Sequence, residues 1–450
     1  MKQIERPDYV TKLMDSRGNG LVKVITGPRR CGKSYLIFQL FRNQLLKDGV
    51  KESNITEMKL DEISNAKYRN VFAFLDYFKS HHQKNGETNY FLIDEIQFIT
   101  PIENPDLKGQ KVTFYDALNE MMNYENTEIF ITGSNSHLLS SDIATEFRGR
   151  DFQIRVHPFS FKEYISAIDN PFDYFSALQG YLKFGGLPGI LEFQDDSEKK
   201  NYLNSVYKTA YLKDVIDRHS LKSDISIQDV TRILATSVGS LVNPNNLSNT
   251  FRSIEKSSVS SQTIKQYISY LTDSFLISKA QRFDLKGKKI ISGNAKYYFD
   301  DLGLRYAAAE FLLDDILPHL MENCIYNELR IKSYQVDIGI IKKNELIQGK
   351  QTSIRREIDF VVTKPGMKYY IQSAYLLPTE EKRKQEKKSL LSVYDGFKKI
   401  IISLDNNGIS IDEDGIYHIN LFDFLLKDRL LETLRLCFKT RNGHPFLHVF

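Results

Sequence analysis

The sequence contains only three cysteines, no tryptophan and no long apolar run. Cys31, Cys324 and Cys437 are scattered, and their odd number and spacing exclude a disulfide framework and a zinc site of regular ligand spacing. The absence of tryptophan excludes nothing. No stretch approaches the ~20 apolar residues of a membrane span, and the first residues lack the apolar core of a signal peptide. We therefore expect a cytoplasmic protein with no membrane partner.

The chain also lacks an excess of charge of one sign. Its 61 Lys and Arg residues nearly balance 57 Asp and Glu residues, which leaves a formal net charge of +4. Any surface for nucleic acid must therefore be a local patch. A length of 450 residues predicts about three domains. We place them at residues 1–165, 166–305 and 306–430, followed by a tail at 431–450.

The most informative stretch reads GPRRCGKS and fits the phosphate-binding pattern G-x-x-x-x-G-K-[ST]. A β-branched run precedes it at 21–26, and helical spacing of apolar residues follows at 35–46, which is the context that the motif needs. We predict that the loop binds ATP, with Lys33 on the β- and γ-phosphates and Ser34 on Mg²⁺. The loop residues are Gly27, Pro28, Arg29, Arg30, Cys31, Gly32, Lys33 and Ser34. A glycine-rich turn with a chance Lys-Ser pair is the alternative, and Cys31 is interpreted as a tolerated small residue.

Two carboxylates end a second apolar run at 90–94. We predict that Asp94 binds the Mg²⁺ ion and that Glu95 polarises the attacking water. An ordinary strand followed by a solvated turn is the alternative interpretation.

Two more polar positions complete the predicted site. Asn135 follows the apolar run at 128–132 and is predicted to touch the γ-phosphate or the water, unless it caps the helix that starts near His137. Arg150 precedes the run at 152–156 and is predicted to act as an arginine finger, in its own chain or from a neighbouring subunit. A surface ion pair is the alternative for Arg150, whereas a finger from a neighbour implies a homo-oligomer.

The apolar runs predict the fold class. Five of them, at 21–26, 55–60, 90–94, 128–132 and 152–156, alternate with helical patterns. This order predicts an α/β fold with a parallel sheet that binds ligands at the carboxyl ends of its strands.

Five further motifs follow along the chain: HPFSFKEY at 157–164, GGLP at 185–188, LKDVIDR at 212–218, KYYFDDLGL at 296–304 and YYIQSAY at 369–375. In this order, after the phosphate loop, they resemble a large prokaryotic family of AAA-type ATPases with a C-terminal domain of unknown function. The resemblance covers most of residues 5 to 425. It implies a P-loop NTPase (AAA-like) core, a helical segment with a winged-helix module, and a nuclease-like C-terminal fold. It carries the ATPase roles to Lys33, Ser34, Asp94, Glu95, Asn135 and Arg150. No second sensor arginine is recognisable downstream.

Residues 225–300 predict the winged-helix module. Helices are expected at 247–256 and 261–271, and a hairpin at 276–283 and 289–299. In the second helix the core positions are Ile264, Ile268 and Leu271, and the outward positions, as on a recognition helix, are Gln262, Lys265 and Gln266. The hairpin tip, Lys286-Gly287-Lys288-Lys289, is a basic patch suited to DNA phosphates. Packing against other elements or a partner protein is the alternative.

The C-terminal part has the element order of a restriction-endonuclease-like fold. Glu322 on a helix and Asp359 on a strand fit its first two acidic positions. The third position should end in lysine, but the sequence there is Gln372-Ser373-Ala374. Alanine carries no charge and glutamine is a poorer Mg²⁺ ligand than a carboxylate. We predict a degenerate nuclease fold with lost or reduced cleavage; the alternative is that Glu322 and Asp359 share no site. The charged run at 380–388 predicts a solvated helix.

The predicted function is that of an Mg²⁺-dependent ATPase, with ATP and Mg²⁺ as cofactors. Nucleotide turnover would reposition the C-terminal domains on DNA or on a partner protein. The alternatives are an ATP-gated DNA nuclease and a DNA-binding regulator that ATP orders without hydrolysis.

Overall fold

The computed structural model describes residues 4–133, 149–168, 173–221, 225–254, 259–312, 317–347, 350–405 and 408–434. Within these ranges two sheets, of five and eight strands, are surrounded by helices. No helix in the described ranges is long and apolar enough to cross a membrane.

The first seven strands are β1 (Val22–Thr26), β2 (Ile55–Lys59), β3 (Asn89–Asp94), β4 (Ile102–Glu103), β5 (Lys111–Val112), β6 (Thr127–Gly133) and β7 (Asp151–Arg155). Five of them form a parallel sheet in the order β2-β3-β6-β1-β7, and β4 and β5 form a separate ribbon. Each residue of β1 and β3 is buried, as expected for strands that are covered on both faces. The predicted fold class and its five strands are confirmed, with bounds that agree to within about a residue.

Helices cover both faces of this sheet. They are α1 (Pro7–Asp15), α2 (Lys33–Lys47, π-helical over Leu36–Phe41), α3 (Val71–His81) and α4 (Phe114–Met121), with short 3₁₀ turns at Glu52–Asn54, Ile63–Arg69 and Ile96–Phe98. The apolar residues of α1 and α2 pack on one face, and those of α3 and α4 pack on the other.

A helical region follows the first sheet. It contains α5 (Phe161–Ala167), α6 (Tyr174–Phe184), α7 (Asp196–His219, π-helical over Val206–Leu212), α8 (Ile225–Thr236), α9 (Pro244–Ile254) and α10 (Ser261–Asp273), with a 3₁₀ turn at Pro188–Glu192. Ser260 caps α10. The three predicted core positions of that helix are buried and its three predicted outward positions are exposed.

The second sheet has the order β14-β15-β13-β12-β11-β10-β8-β9. Its strands are β8 (Ile277–Asp284), β9 (Lys289–Phe299), β10 (Gln335–Ile347), β11 (Lys350–Lys364), β12 (Met367–Ser373), β13 (Lys398–Ser403), β14 (Ile409–Ile411) and β15 (Tyr417–Asn420). The associated helices are α11 (Leu302–Ala308), α12 (Leu317–Ile331), α13 (Glu380–Leu390), α14 (Leu421–Leu426) and α15 (Leu430–Thr433). Helix α13 is mostly exposed, as predicted for the charged run.

The hairpin predicted as a wing belongs to this second sheet. Strand β8 pairs antiparallel with β9 and parallel with β10. The sheet therefore crosses the boundary predicted at residue 305. One apolar cluster extends from Phe159 to Leu434 and joins the helical region to the second sheet.

Candidate nucleotide-binding site

The predicted phosphate loop connects the carboxyl end of β1 to the start of α2. Gly27 and Gly32 have φ angles of 147° and 95°, which L-residues with side chains rarely adopt. A Cβ atom on Gly27 would lie 2.1 Å from the carbonyl oxygen of Val156. Only glycine fits this close approach, so the path of the loop depends on both glycines.

Lys33 lies inside the loop that precedes it. Its side chain is buried, and Nζ donates hydrogen bonds to the carbonyl oxygens of Gly27 (3.0 Å) and Pro28 (2.9 Å). Both acceptors are neutral. The positive charge is therefore held in place without being cancelled, which is the state that an anionic phosphate requires.

Ser34 and Asp94 meet next to the loop. Asp94 ends β3 and is buried, and its carboxylate accepts hydrogen bonds from the hydroxyls of Ser34 and Thr132. Burial raises the pKa of Asp94 against these two hydrogen bonds. A carboxylate and a hydroxyl are oxygen ligands of the type that Mg²⁺ prefers. Within the described residues no group of three His, Cys, Asp or Glu side chains could hold a metal ion alone. The residues thus fit an Mg²⁺ ion whose remaining ligands come from phosphates and water.

Glu95 is held in a left-handed conformation, with a φ angle of 53°. Its N–H donates to the hydroxyl of Thr132 (3.1 Å), and the Gln97 amide donates to its carboxylate. Glu95 lines a cavity of about 350 Å³ together with Arg29, Arg30, Asp61, Phe98, Thr209 and Ala210. Thr132 contacts both acids, and sequence analysis did not predict this role. The feature that could have indicated it is a hydroxyl residue at the end of an apolar strand.

Of the two remaining predicted residues, only Arg150 lies within the described part of the chain. Asn135 lies outside the described residues. The carbonyl oxygen of Arg150 accepts a hydrogen bond from the N–H of Val22 (3.0 Å), which starts β1. Because the strands are parallel, Arg150 lies at the amino edge of the sheet, opposite the loop. A finger from a neighbouring subunit stays a prediction, and the structure does not bring Arg150 to the loop of its own chain.

Helix α7 of the helical region contacts the phosphate loop directly. Asp214 accepts hydrogen bonds from Arg29 Nη2 and from Arg218 Nη2, each at 2.5 Å. The buried hydroxyl of Tyr211 donates to the carbonyl oxygen of Arg29 (3.1 Å). The guanidinium of Arg30 lies 6.0 Å from the ring centre of Tyr202. These contacts could not be predicted from the sequence, because the residues that form them are far apart along the chain.

Arg6 supports the loop from the other side. Its guanidinium donates to the carbonyl oxygens of Cys31 (3.2 Å) and His157 (2.9 Å) and pairs with Glu163 at 2.8 Å. Burial raises the pKa of the Cys31 thiol, which favours its neutral form. The buried Cys31 thiol is therefore consistent with the interpretation of Cys31 as a tolerated small residue.

A second set of charged residues lies in the eight-stranded sheet. We call it the Lys296 cluster; its members are Lys296, Tyr298, Glu322, Glu357 and Asp359. Lys296 Nζ lies 2.7 Å from Glu357 Oε1, 3.0 Å from Glu322 Oε1 and 3.7 Å from Asp359 Oδ1, and the Tyr298 hydroxyl donates to Glu322 (2.7 Å). Glu322 and Asp359 therefore lie around the same ammonium group, and their place in a nuclease-like site stays a prediction.

The cluster contains a lysine that sequence analysis missed. Lys296 comes from β9 rather than from the strand that ends at Gln372-Ser373-Ala374, and the N–H of Ser373 donates to Asp359 (2.9 Å). Burial lowers the pKa of Lys296, but the carboxylates of Glu322, Asp359 and Glu357 outweigh it and raise the pKa overall. Burial, with a further contribution from Glu322, raises the pKa of Asp359 to about 7. The feature that could have identified Lys296 is the position of a lysine within the run at 295–299, which is buried throughout.

The two sheets are also joined by an ion pair. Arg155 ends β7, and its Nη2 atom lies 2.6 Å from Asp300 Oδ2, immediately after β9. Arg155 also donates to Ser278 on β8 (3.1 Å). The last residue of the first sheet is thus tied to the hairpin edge of the second.

The chain matches two family models and is similar to two uncharacterized proteins. Residues 19–165 match the family model described as an AAA domain, and residues 176–315 match a domain of unknown function. An uncharacterized protein of Haemophilus influenzae is 32% identical over 427 residues, which cover 94% of this chain and 99% of that protein. An uncharacterized protein of Methanocaldococcus jannaschii is 27% identical over 429 residues, 91% of this chain and 86% of that protein.

Similar solved structures include a Walker-type ATPase of Pyrococcus abyssi. It has 15% sequence identity and a TM-score of 0.46, and the match covers 68% of this chain and 96% of that chain. The Orc1 protein of Aeropyrum pernix, in complex with DNA, has 10% identity and a TM-score of 0.27, with coverage of 68% and 93%.

The AAA domain match agrees with the parallel sheet and the phosphate loop, and it supports a nucleotide-binding, ATPase-like domain. Because the identity of 32% to the H. influenzae protein extends over nearly the whole of both chains, this chain belongs to the same family, a family of the AAA type.

Proposed function

We propose that the protein is an Mg²⁺-dependent ATPase whose nucleotide state repositions the helical region and the second sheet. The observation that carries the proposal is the cavity beside the phosphate loop. Its lining combines Arg29 and Arg30 of the loop with Glu95 of the first sheet and with Thr209 and Ala210 of α7. A ligand there would contact the ATPase domain and the following region at once.

In this proposal each residue of the site has one task. Lys33 binds the β- and γ-phosphates, and Ser34 and Asp94 hold the Mg²⁺ ion, which neutralises phosphate charge when bound. Glu95 orients and polarises the attacking water. Asn135 is proposed to touch the γ-phosphate or this water.

Hydrolysis of ATP by the purified protein tests the enzymatic part. Release of phosphate should need Mg²⁺. Lys33→Ala should weaken binding and abolish turnover, whereas Glu95→Gln should abolish turnover and retain binding. A wild-type rate no higher than that of these variants, with and without DNA, would refute the ATPase assignment.

Arg150 is proposed to act on the site of a neighbouring subunit, because it lies at the opposite edge of its own sheet. ATP should then promote assembly. A mixture of Arg150→Ala and Glu95→Gln subunits should recover some of the activity that each variant lacks alone, since mixed interfaces contain one intact pair. No recovery in a mixture that co-assembles would remove Arg150 from the mechanism.

DNA is proposed as the partner of the helical region and the hairpin tip. The lysines at the tip and the outward face of α10 are exposed. Binding should weaken with salt and fall when Lys286, Lys288 and Lys289 are changed to glutamate. The matched control changes three exposed lysines of the first domain, Lys84, Lys108 and Lys111, to glutamate. Equal loss in both triple variants would indicate a net-charge effect and no interface at the tip. Binding that is independent of Glu95→Gln would favour the regulator that ATP orders without hydrolysis.

A second candidate function, an ATP-gated nuclease, is favoured by one observation. Lys296 supplies the Lys296 cluster with the positive charge that Ala374 cannot provide. Incubation of plasmid DNA with the protein, ATP and Mg²⁺ or Mn²⁺ tests it. Cleavage that disappears in Asp359→Ala would establish the nuclease, and intact plasmid under all these conditions would support a charge-balanced structural role for the cluster.

A further inference from the structure

The phosphate loop shares one arginine with the helix that covers it. Arg29 belongs to the loop and lines the cavity, and its Nη2 atom lies 2.5 Å from Asp214 Oδ1 on α7. The Arg29 side chain is 32% exposed, so it is free to turn toward the cavity. A phosphate bound there would compete with Asp214 for this guanidinium, because both are oxyanions that accept the same N–H groups.

Asp214 is not left alone when Arg29 turns away. Its other carboxylate oxygen accepts a hydrogen bond from Arg218, one helical turn further along α7. An unpaired, half-buried carboxylate would be costly, and this second partner removes most of that cost. Displacement of Arg29 by a phosphate would therefore change the number of arginines that pair with Asp214 from two to one.

Helix α7 also reaches the predicted DNA-reading helix. It spans roughly 35 Å at about 1.5 Å per residue. The ring of His219, its last residue, stacks on Tyr270 of α10 with 3.5 Å between ring centres. The loop contact and the α10 contact are thus on the same helix, only about one turn apart.

We infer that Asp214 is a positioning residue of the nucleotide site, which holds Arg29 until a phosphate displaces it and which thereby reports nucleotide binding to α7 and α10. The inference rests on the proposed function and adds the element that senses the nucleotide. Asp214 acts through Arg29 and does not itself touch the nucleotide.

The inference predicts opposite effects for two neighbouring substitutions. Asp214→Asn should release Arg29 and tighten binding of a fluorescent N-methylanthraniloyl ATP about fivefold, as expected for one partly exposed ion pair. Arg218→Ala should weaken binding about twofold, because Asp214 then has Arg29 as its main partner. If the ion pair were merely structural, both substitutions would shift the affinity for the ATP analogue in the same direction. Asp423→Asn on α14 is the matched control, because Asp423 forms an ion pair with Lys427 at the same spacing as Asp214 with Arg218.

A reporter measures the signal itself. The chain has no tryptophan, so Tyr270→Trp introduces a single indole next to His219. ATP should change its emission in this reporter protein, and adding Asp214→Asn should abolish the change while the ATP analogue still binds. Thermal denaturation shows whether each variant is folded.

The outcomes separate the inference from the proposed function. If the parent protein does not bind the ATP analogue, both fall. If it binds but Asp214→Asn and Arg218→Ala shift affinity in the same direction or not at all, the inference alone is overturned. A reporter that responds to ATP equally with and without Asp214 would also overturn it.

Discussion

Two buried lysines, one in each half of the molecule, differ in what surrounds their ammonium groups. Lys33 is 5% exposed and donates to two backbone carbonyls, whereas Lys296 is 1% exposed and lies among three carboxylates. Carbonyl dipoles hold a charge without cancelling it, but carboxylates neutralise it. Burial therefore does not distinguish a lysine whose charge stays available to a ligand from one whose charge is neutralised within the fold; the formal charge of its partners does.

The largest expected effect is on stability, at Lys296. Lys296→Met should lower the free energy of unfolding by about 3–5 kcal/mol, because it leaves buried carboxylates without their cation. Urea denaturation at pH 8 measures it. Lys289→Met, at the exposed start of the same strand, is the control and should have little effect. A loss below about 1 kcal/mol at Lys296 would show that the cluster is solvated rather than charge-balanced.

The next effect is a dependence of stability on pH. The folded protein holds the Asp359 proton up to about pH 7, whereas the unfolded chain releases it near the ordinary pKa of 3.8. Between these values the unfolded state binds fewer protons, so the free energy of unfolding should fall as pH rises, by about 4 kcal/mol or less. Asp359→Asn should flatten this slope in denaturation series from pH 4 to 8. Asp428→Asn, at an exposed ion pair with Lys162, should leave it unchanged.

Replacement of Lys33 should affect ATP binding more than stability, whereas replacement of Lys296 should affect stability. Lys33→Met should weaken ATP binding about 100-fold, or about 2.7 kcal/mol, since a charge-assisted contact to phosphate is lost. It should cost less than about 1 kcal/mol of stability, because the two carbonyls lose only a neutral-acceptor interaction. Calorimetric titration and urea denaturation of the same preparation test both parts. Unfolding comparable to that of Lys296→Met would remove the contrast between the two lysines.

The smallest expected effect is at the ion pair between the two sheets. Arg155→Ala should cost about 1–2 kcal/mol, because Asp300 keeps its hydrogen bond from Ser278 (2.6 Å). A double-mutant cycle with Asp300→Asn should give a coupling energy of about 1 kcal/mol. The exposed pair of Arg17 and Asp48 provides the comparison, and Arg17→Ala should be nearly neutral. If Arg155→Ala and Arg17→Ala lowered the free energy of unfolding equally, the ion pair between the sheets would be no stronger than a surface contact.

The first sheet was predictable because its signals are local. The phosphate loop, the strand before it and the acidic end of β3 each lie within a few consecutive residues, and their burial follows the apolar runs. The contacts of α7 with the loop were not predictable, since Arg29 and Asp214 are 185 positions apart. Lys296 was missed for the same reason, because its partners come from a later helix and a later strand.

The pairing of β8 with β10 limits how the chain can be divided. A fragment that ends after residue 305 would keep the hairpin but lose β10, and β8 would then present unpaired N–H and C=O groups at 282–284, where β10 pairs with it. Such an edge is a template for pairing with other chains, so this fragment should aggregate. A fragment that begins after residue 305 would expose the matching edge of β10. The two halves are therefore best studied, and exchanged between relatives, with cuts placed before α5 rather than after β9.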